Sequence, residues 1–233
     1  MEPQLILLGV GWYVAFILST TLHEAAHAWA ALKLGDTTAY HGGQVTLDPI
    51  PHIRREPFGM VIMPLLGAFS YGWPIGWAST PYDPRWEQRY PRRAAWMAAA
   101  GPAANLLLAL LALILLRLGL ATGSFAAPEL LSFSRLVIAD TLFLQICGRL
   151  LSMLLTLNVI LLLFNLIPFP PLDGASVLVL VLPEDIGLRL RETLRSGGFA
   201  IGGLLLAWYL FAQMIGPVWA LLLRLVHPDL VYG

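Results

Sequence analysis

Inside the apolar run that opens the chain stands a short polar cluster, His23, Glu24, Ala25, Ala26 and His27, an H-E-x-x-H pattern. At i and i+4 the two imidazoles share one helical face and can hold the same Zn2+, while Glu24 projects beside them toward a water on that metal. The chemistry this implies is metal-assisted hydrolysis. Catalytic zinc takes three protein ligands and keeps a fourth position for water, and two histidines plus a carboxylate is one established set. The chain has a single cysteine, Cys147, so thiolate ligation by C-x-x-C pairs is excluded and the missing ligand is a histidine or a carboxylate.

Few acids lie near the apolar segments: Asp36, Asp48, Asp140 and Asp173. Asp173 ends the stretch Asn165, Leu166, Ile167, Pro168, Phe169, Pro170, Pro171, Leu172, Asp173, Gly174. That stretch is apolar and broken by prolines, and irregular backbone at membrane depth is tolerated where it lines a site. A turn role for Asp173 before Gly174 is the competing reading. Asn165 can hydrogen-bond a substrate backbone or a developing oxyanion, or cap the helix that precedes Pro168.

The elements that must position these groups are membrane helices. Of 233 residues, 58% are hydrophobic and 12% charged, against about 25% charged in a soluble domain; mean hydropathy is +0.74. This excludes disorder, a nucleic-acid module and almost any cytosolic domain. Fourteen basic and fourteen acidic residues cancel, so no global field draws an anionic partner. A bilayer core of about 30 Å needs about 20 apolar residues, and four stretches qualify: 5–34, 94–120, 136–164 and 199–223. The first lacks the basic region and cleavage site of a signal peptide and is expected to be retained. Three ionisable groups within one turn of a membrane helix are costly, about 2.5–3.5 kcal/mol each at the bilayer centre, and such groups are usually functional.

Residues 58–78 are apolar but interrupted by Pro64, Pro74, Gly59, Gly67, Gly72 and Gly76, which predicts a broken or re-entrant segment. If it re-enters, Lys33, Arg54, Arg55, the arginines of 85–93 and those of 189–195 gather on one side, and Arg117, Arg135 and Arg224 on the other. The rich side is then cytoplasmic and the N-terminus outside. The same parity brings Asp173 to the side of His23 and His27, because two crossings separate them. Residues 37–47, with Thr37, Thr38, Tyr40, Gly42, Gly43, Val45 and Thr46, predict a β-hairpin, whose edge offers a place for an extended substrate to add as a strand. Residues 189–195, with four charges among leucines, predict a short amphipathic helix on the cytoplasmic surface. His41 and His52 read as interfacial hydrogen-bonding residues, and Trp73, Trp77, Trp86 and Trp96 as an interfacial belt.

The two motifs together, His23-Glu24-x-x-His27 and Asn165-x-x-Pro168-x-x-Pro171-Leu172-Asp173-Gly174, resemble the site-2 protease family of intramembrane zinc metalloproteases, in its compact form without PDZ or CBS domains. The similarity extends through Gly35-Asp36-Thr37-Thr38-Ala39, Thr46-Leu47-Asp48-Pro49 and Ala100-Gly101-Pro102-Ala103-Ala104-Asn105. Asp48 departs from it, since relatives often carry Asn there. The resemblance implies one Zn2+ per chain held by His23, His27 and Asp173, Glu24 as catalytic acid/base, Asn165 near the substrate, and a transmembrane protein as substrate.

The expected fold is an all-α polytopic membrane protein: about four spanning helices, a re-entrant or broken segment, and a small β-hairpin near the active site. One membrane-embedded metalloprotease domain is expected over 1–233, with a catalytic core at about 5–182 and a C-terminal amphipathic helix and span at about 184–224. The expected setting is the cell membrane, multi-pass, with the active site toward the cytoplasm, a lipid bilayer as surroundings and no nucleic-acid partner. The main alternative is a metal-binding or metal-transporting membrane protein without proteolytic activity, which would want further ligands along a path. A zinc peptidase acting on small or lipid-modified peptides, and a binding-only descendant, are further rivals; the intact Glu24 argues against the last.

Overall fold

The computed structural model describes residues 3–195 and 199–229. Its elements in chain order are α1 (Pro3–Leu34), α2 (Thr38–His41), α3 (Pro49–Arg55), a π-helical turn (Phe58–Ile62) running into α4 (Met63–Tyr71), α5 (Pro84–Arg89), α6 (Pro91–Ala121), α7 (Leu142–Asn165), α8 (Gly174–Val181), α9 (Glu184–Arg195) and α10 (Phe199–Val226). Four of them contain stretches long and apolar enough to cross a membrane: Leu5–Leu34, Pro91–Ala121, Leu142–Asn165 and Leu205–Val226.

Helix α6 is the centre, packed along both α1 and α7. Small residues let the backbones approach, as membrane helix pairs require: Ala94, Ala95, Ala98, Gly101, Ala109 and Ala112 of α6 are buried, as are Ala15, Ala28 and Ala31 of α1. Helix α1 stops because Gly35 takes φ +103°, open to glycine, and the Asp36 N–H returns to the Ala31 carbonyl at 2.9 Å. Lys33 in its last turn suits the negative end of the helix dipole. By contrast α10 is peripheral, with 11% of its most apolar window buried against 39% for α1 and α7. Only its C-terminal turns, through Leu222, Leu223 and Val226, join the core around Leu116, Phe125 and Leu155.

The broken segment goes in and comes back. Its π-turn and α4 have five and nine residues, roughly 21 Å at 1.5 Å per residue and short of the ~30 Å core. After Gly72, in the left-handed region at φ 70°, the chain doubles back: Trp73 N–H donates to the Gly67 carbonyl at 3.4 Å and Trp77 N–H to the Gly59 carbonyl at 3.2 Å. Gly59 is required there, since a Cβ would strike the Trp77 ring and carbonyl.

Three expectations need correction. The hairpin over 37–47 does not form: no strand occurs among the described residues, and Thr38–His41 is a helical turn. Asp36 decides this, because its Oδ1 accepts from the Thr38 N–H (2.8 Å) and hydroxyl (2.6 Å) and so starts a helical turn; Gly43 at φ 71° then ends it. The third long helix begins at Leu142 rather than 136. Leu136 lies crosswise, its N–H bound to Ser152 Oγ (3.0 Å) and its carbonyl to His227 Nε2 (2.7 Å), and Thr141 caps the helix instead. Finally, Trp86 is a core residue packed with Ala30, Ala31 and Met97, and Trp73 packs on Trp12 at 4.4 Å, so those two rings serve packing and not a belt. Of the remaining sequence features, His52 is buried with Nε2 on the Thr46 carbonyl (3.1 Å), His41 is exposed, and Asp48 caps α3 by accepting from the Ile50 N–H (2.9 Å).

Candidate metal centre

His23 and His27 lie one turn apart on the face of α1 that meets α6, both buried. Their Nε2 atoms are 2.9 Å apart. His27 Nδ1–H donates to the Met97 carbonyl (2.8 Å), and His23 Nδ1 faces Asn105 Oδ1 at 2.6 Å. With both Nδ1 atoms engaged on α6, both Nε2 atoms present bare lone pairs to one point. Nothing on α6 intrudes there because residue 101 is glycine: a Cβ at that position would collide with both Nε2 atoms.

The third group arrives from the other end of the fold. Asp173 precedes α8, but its carboxylate makes no cap bond to that helix; only its backbone carbonyl does, accepting from the Ser176 (2.8 Å) and Val177 (3.0 Å) N–H groups. Freed from the turn role, Oδ2 sits 3.2 Å from His23 Nε2 and 3.3 Å from His27 Nε2. It is buried and without a hydrogen-bond partner. Gly174 makes this possible, since a Cβ there would meet the Leu166 and Ile167 carbonyls.

Two imidazole lone pairs and a carboxylate oxygen, all within 4.8 Å of one another, repel unless a cation stands among them. The donor set, the orphaned Oδ2 and the space kept by Gly101 therefore fit a zinc ion. Among the described residues this is the one such cluster of three.

Glu24, also buried, is held from the returning limb of the broken segment. Thr80 Oγ1 lies 2.7 Å from Glu24 Oε2 and 2.9 Å from the Glu24 carbonyl. That limb is anchored by Asp36, whose Oδ2 accepts from the Asp83 N–H at 2.8 Å. A cavity of about 220 Å3 opens between the limb, α6 and the 170–176 segment, lined by His27, Thr80, Met97, Ala98, Pro171 and Asp173 among others; the Asp173 side chain is 21% exposed to it. Asn165, at the end of α7, is part of neither the cluster nor the cavity lining, and its side chain makes no hydrogen bond among the described residues.

Of the residues singled out in the sequence, the fold brings His23, His27 and Asp173 together; sequence reasoning missed the contacts of Thr80, Gly101, Asn105 and the Met97 carbonyl. A signal existed for one of these: Asn105 is a polar amide inside an apolar helix.

A multi-pass membrane chain that buries a His-Glu-x-x-His helix against a carboxylate defines a class, the membrane-embedded metallopeptidases. Comparison with known proteins gives the family. The profile of Peptidase family M50 matches residues 12–208. A Bacillus subtilis (strain 168) protein named "Putative zinc metalloprotease YwhC" is 32% identical over 205 residues, covering 88% of this chain and 84% of that protein. A Mycolicibacterium smegmatis protein named "Putative zinc metalloprotease Rip2" is 31% identical over 174 residues, 74% of this chain and 56% of that protein. The chain belongs to peptidase family M50, the site-2 proteases, as its two motifs led us to expect. No solved structure matches it.

Proposed function

We infer that this chain is an intramembrane zinc metalloprotease, with one Zn2+ held by His23, His27 and Asp173 and with Glu24 as its catalytic acid/base. The observation that carries this reading is the convergence of three potential donor atoms within 4.8 Å, beside a glutamate held by a separate element. When bound, zinc supplies Lewis acidity, polarising the scissile carbonyl and bringing the pKa of a water toward about 7. Thr80 occupies one oxygen of Glu24, which leaves the other to take the proton from the attacking water and pass it to the departing amine nitrogen. Asn165 stands ready for the substrate backbone, with its side chain uncommitted.

A helical substrate keeps its own backbone carbonyls in i to i−4 hydrogen bonds, out of reach of attack. A transmembrane substrate therefore reaches the site locally unwound. On this reading the active site opens to the arginine-rich side, cytoplasmic by the positive-inside rule, with the N-terminus outside and 1–233 acting as one catalytic unit; the doubling back of 58–78 beside Gly59 supports the crossing count it needs. A metal-transport reading lacks a ligand path: one candidate cluster is present among the described residues.

The test is zinc content and cleavage of single-span substrates by detergent-purified wild type, Glu24→Gln and Asp173→Ala. The expected result is about one zinc in wild type and Glu24→Gln, loss of zinc in Asp173→Ala, and cleavage by wild type alone. No zinc in metal-replete wild type overturns the reading.

A further inference from the structure

Behind the metal centre runs a file of buried polar side chains that the chemistry above does not use. Asn105 Oδ1 faces His23 Nδ1 at 2.6 Å, Asn105 Nδ2 lies 2.8 Å from Asn158 Oδ1, and Asn158 Nδ2 lies 2.8 Å from both Ser19 Oγ and the Leu154 carbonyl. Asn105, Asn158 and Ser19 are each 0% exposed, and the file crosses from α1 through α6 to α7 and back to α1. Polar groups this deep are costly unless every one is partnered, and here every one is.

The file has a direction, and its far end sets it. The Leu154 carbonyl can only accept, so the Asn158 atom beside it has to be the NH2. Ser19 agrees, because its single proton goes to the Ala15 carbonyl at 2.7 Å, leaving Oγ as an acceptor. Asn158 therefore turns its oxygen to Asn105, Asn105 donates to it and turns its own oxygen to His23, and His23 Nδ1 carries the proton. The bare lone pair of His23 is then on Nε2, toward the metal.

We propose that Asn105 and Asn158 form a tautomer-setting relay, positioning residues through which the Leu154 carbonyl of α7 fixes His23 with Nε2 as its metal-binding nitrogen. This rests on the zinc reading above. The two ligands are thereby secured differently: His27 by one backbone carbonyl, His23 by a relay that depends on α7 being in place. Outer partners of metal-bound histidines are typically worth about 10–100-fold in metal affinity.

The experiment is chelator competition for zinc on the full chain in detergent, a readout independent of cleavage. Asn105→Leu is expected to weaken zinc binding about 10–100-fold. Asn158→Ala touches no ligand yet is expected to weaken binding about tenfold, and Ser19→Ala less than about threefold because the Leu154 carbonyl still orients Asn158. If Asn105→Leu does not fold, the Asn158→Ala and Ser19→Ala pair decides, as does the ring 15N signature of His23, which moves from one tautomer to a mixture in Asn158→Ala. Wild-type affinity in Asn105→Leu and Asn158→Ala overturns the relay and leaves the zinc reading standing. Absence of zinc from wild type removes both, and Asp173→Ala, expected to lose zinc in every case, tells the two failures apart.

Discussion

The site is built from two unlike halves. One is helical: His23 and His27 on α1 are pressed against α6, with Nδ1 atoms committed to Met97 and Asn105 and a glycine at 101 beneath them. The other is irregular: Asp173 comes from a proline-broken segment and Thr80 from the limb that returns after α4. Side chains on packed helices hold position to a fraction of an ångström, while irregular segments leave room for entry and adjustment. The difference teaches a division of labour in which the helical half presents two of the three donors and fixes them through their Nδ1 atoms, while the irregular half brings up the third donor, the contact on Glu24 and the way in.

Substitutions can break that division. The largest effect is expected from Gly101→Ala in the helical half, whose methyl would occupy the space between the Nε2 atoms; zinc affinity should fall by more than about 100-fold, beyond the range of outer-partner changes, as read by chelator competition. Next, Asn165→Ala should lower kcat/KM about 100-fold with zinc content unchanged, the scale for loss of one oxyanion or backbone donor. Thr80→Val removes a hydrogen bond to a carboxylate, worth about 1.5–3 kcal/mol, and should reduce kcat at least tenfold without touching zinc. Smallest is Asp48→Asn, which keeps the cap on α3, since Asp and Asn serve equally at that position; stability in a thermal melt should shift by less than about 0.5 kcal/mol. Zinc loss in Thr80→Val, or full zinc in Gly101→Ala, would dissolve the comparison.

The halves also differed in how far they could be read from sequence. The His23–His27 pairing follows from helical periodicity alone, and the crossing count allows Asp173, which the family resemblance implied as third ligand, to reach them, because both depend on chain order and not on packing detail. Residues 37–47 misled: Thr, Tyr and Val favour strands on average, but one carboxylate at Asp36, bonding Thr38 locally, outweighed that preference. The Asn105–Asn158 contact was out of reach, since it depends on which faces of α6 and α7 meet. So was Thr80, whose approach to Glu24 depends on where the broken segment turns. Trp86 illustrates the same limit, since composition places tryptophan at interfaces but only packing shows that this ring closes a core against Ala31 and Met97.

The distance along the chain between His27 and Asp173 has a consequence for the order of events during synthesis. At about 5–20 residues per second, α1 enters the membrane on the order of ten seconds before Asp173 leaves the ribosome. Through that interval α1 carries two histidines and a glutamate with no third ligand. Glu24 meets Thr80 first, then the imidazoles meet the Met97 carbonyl and Asn105 on α6, which can shelter them before the carboxylate exists. Metal capture by all three ligands is consequently a late step in biogenesis, and a chain stalled before residue 173 would hold a half-made site.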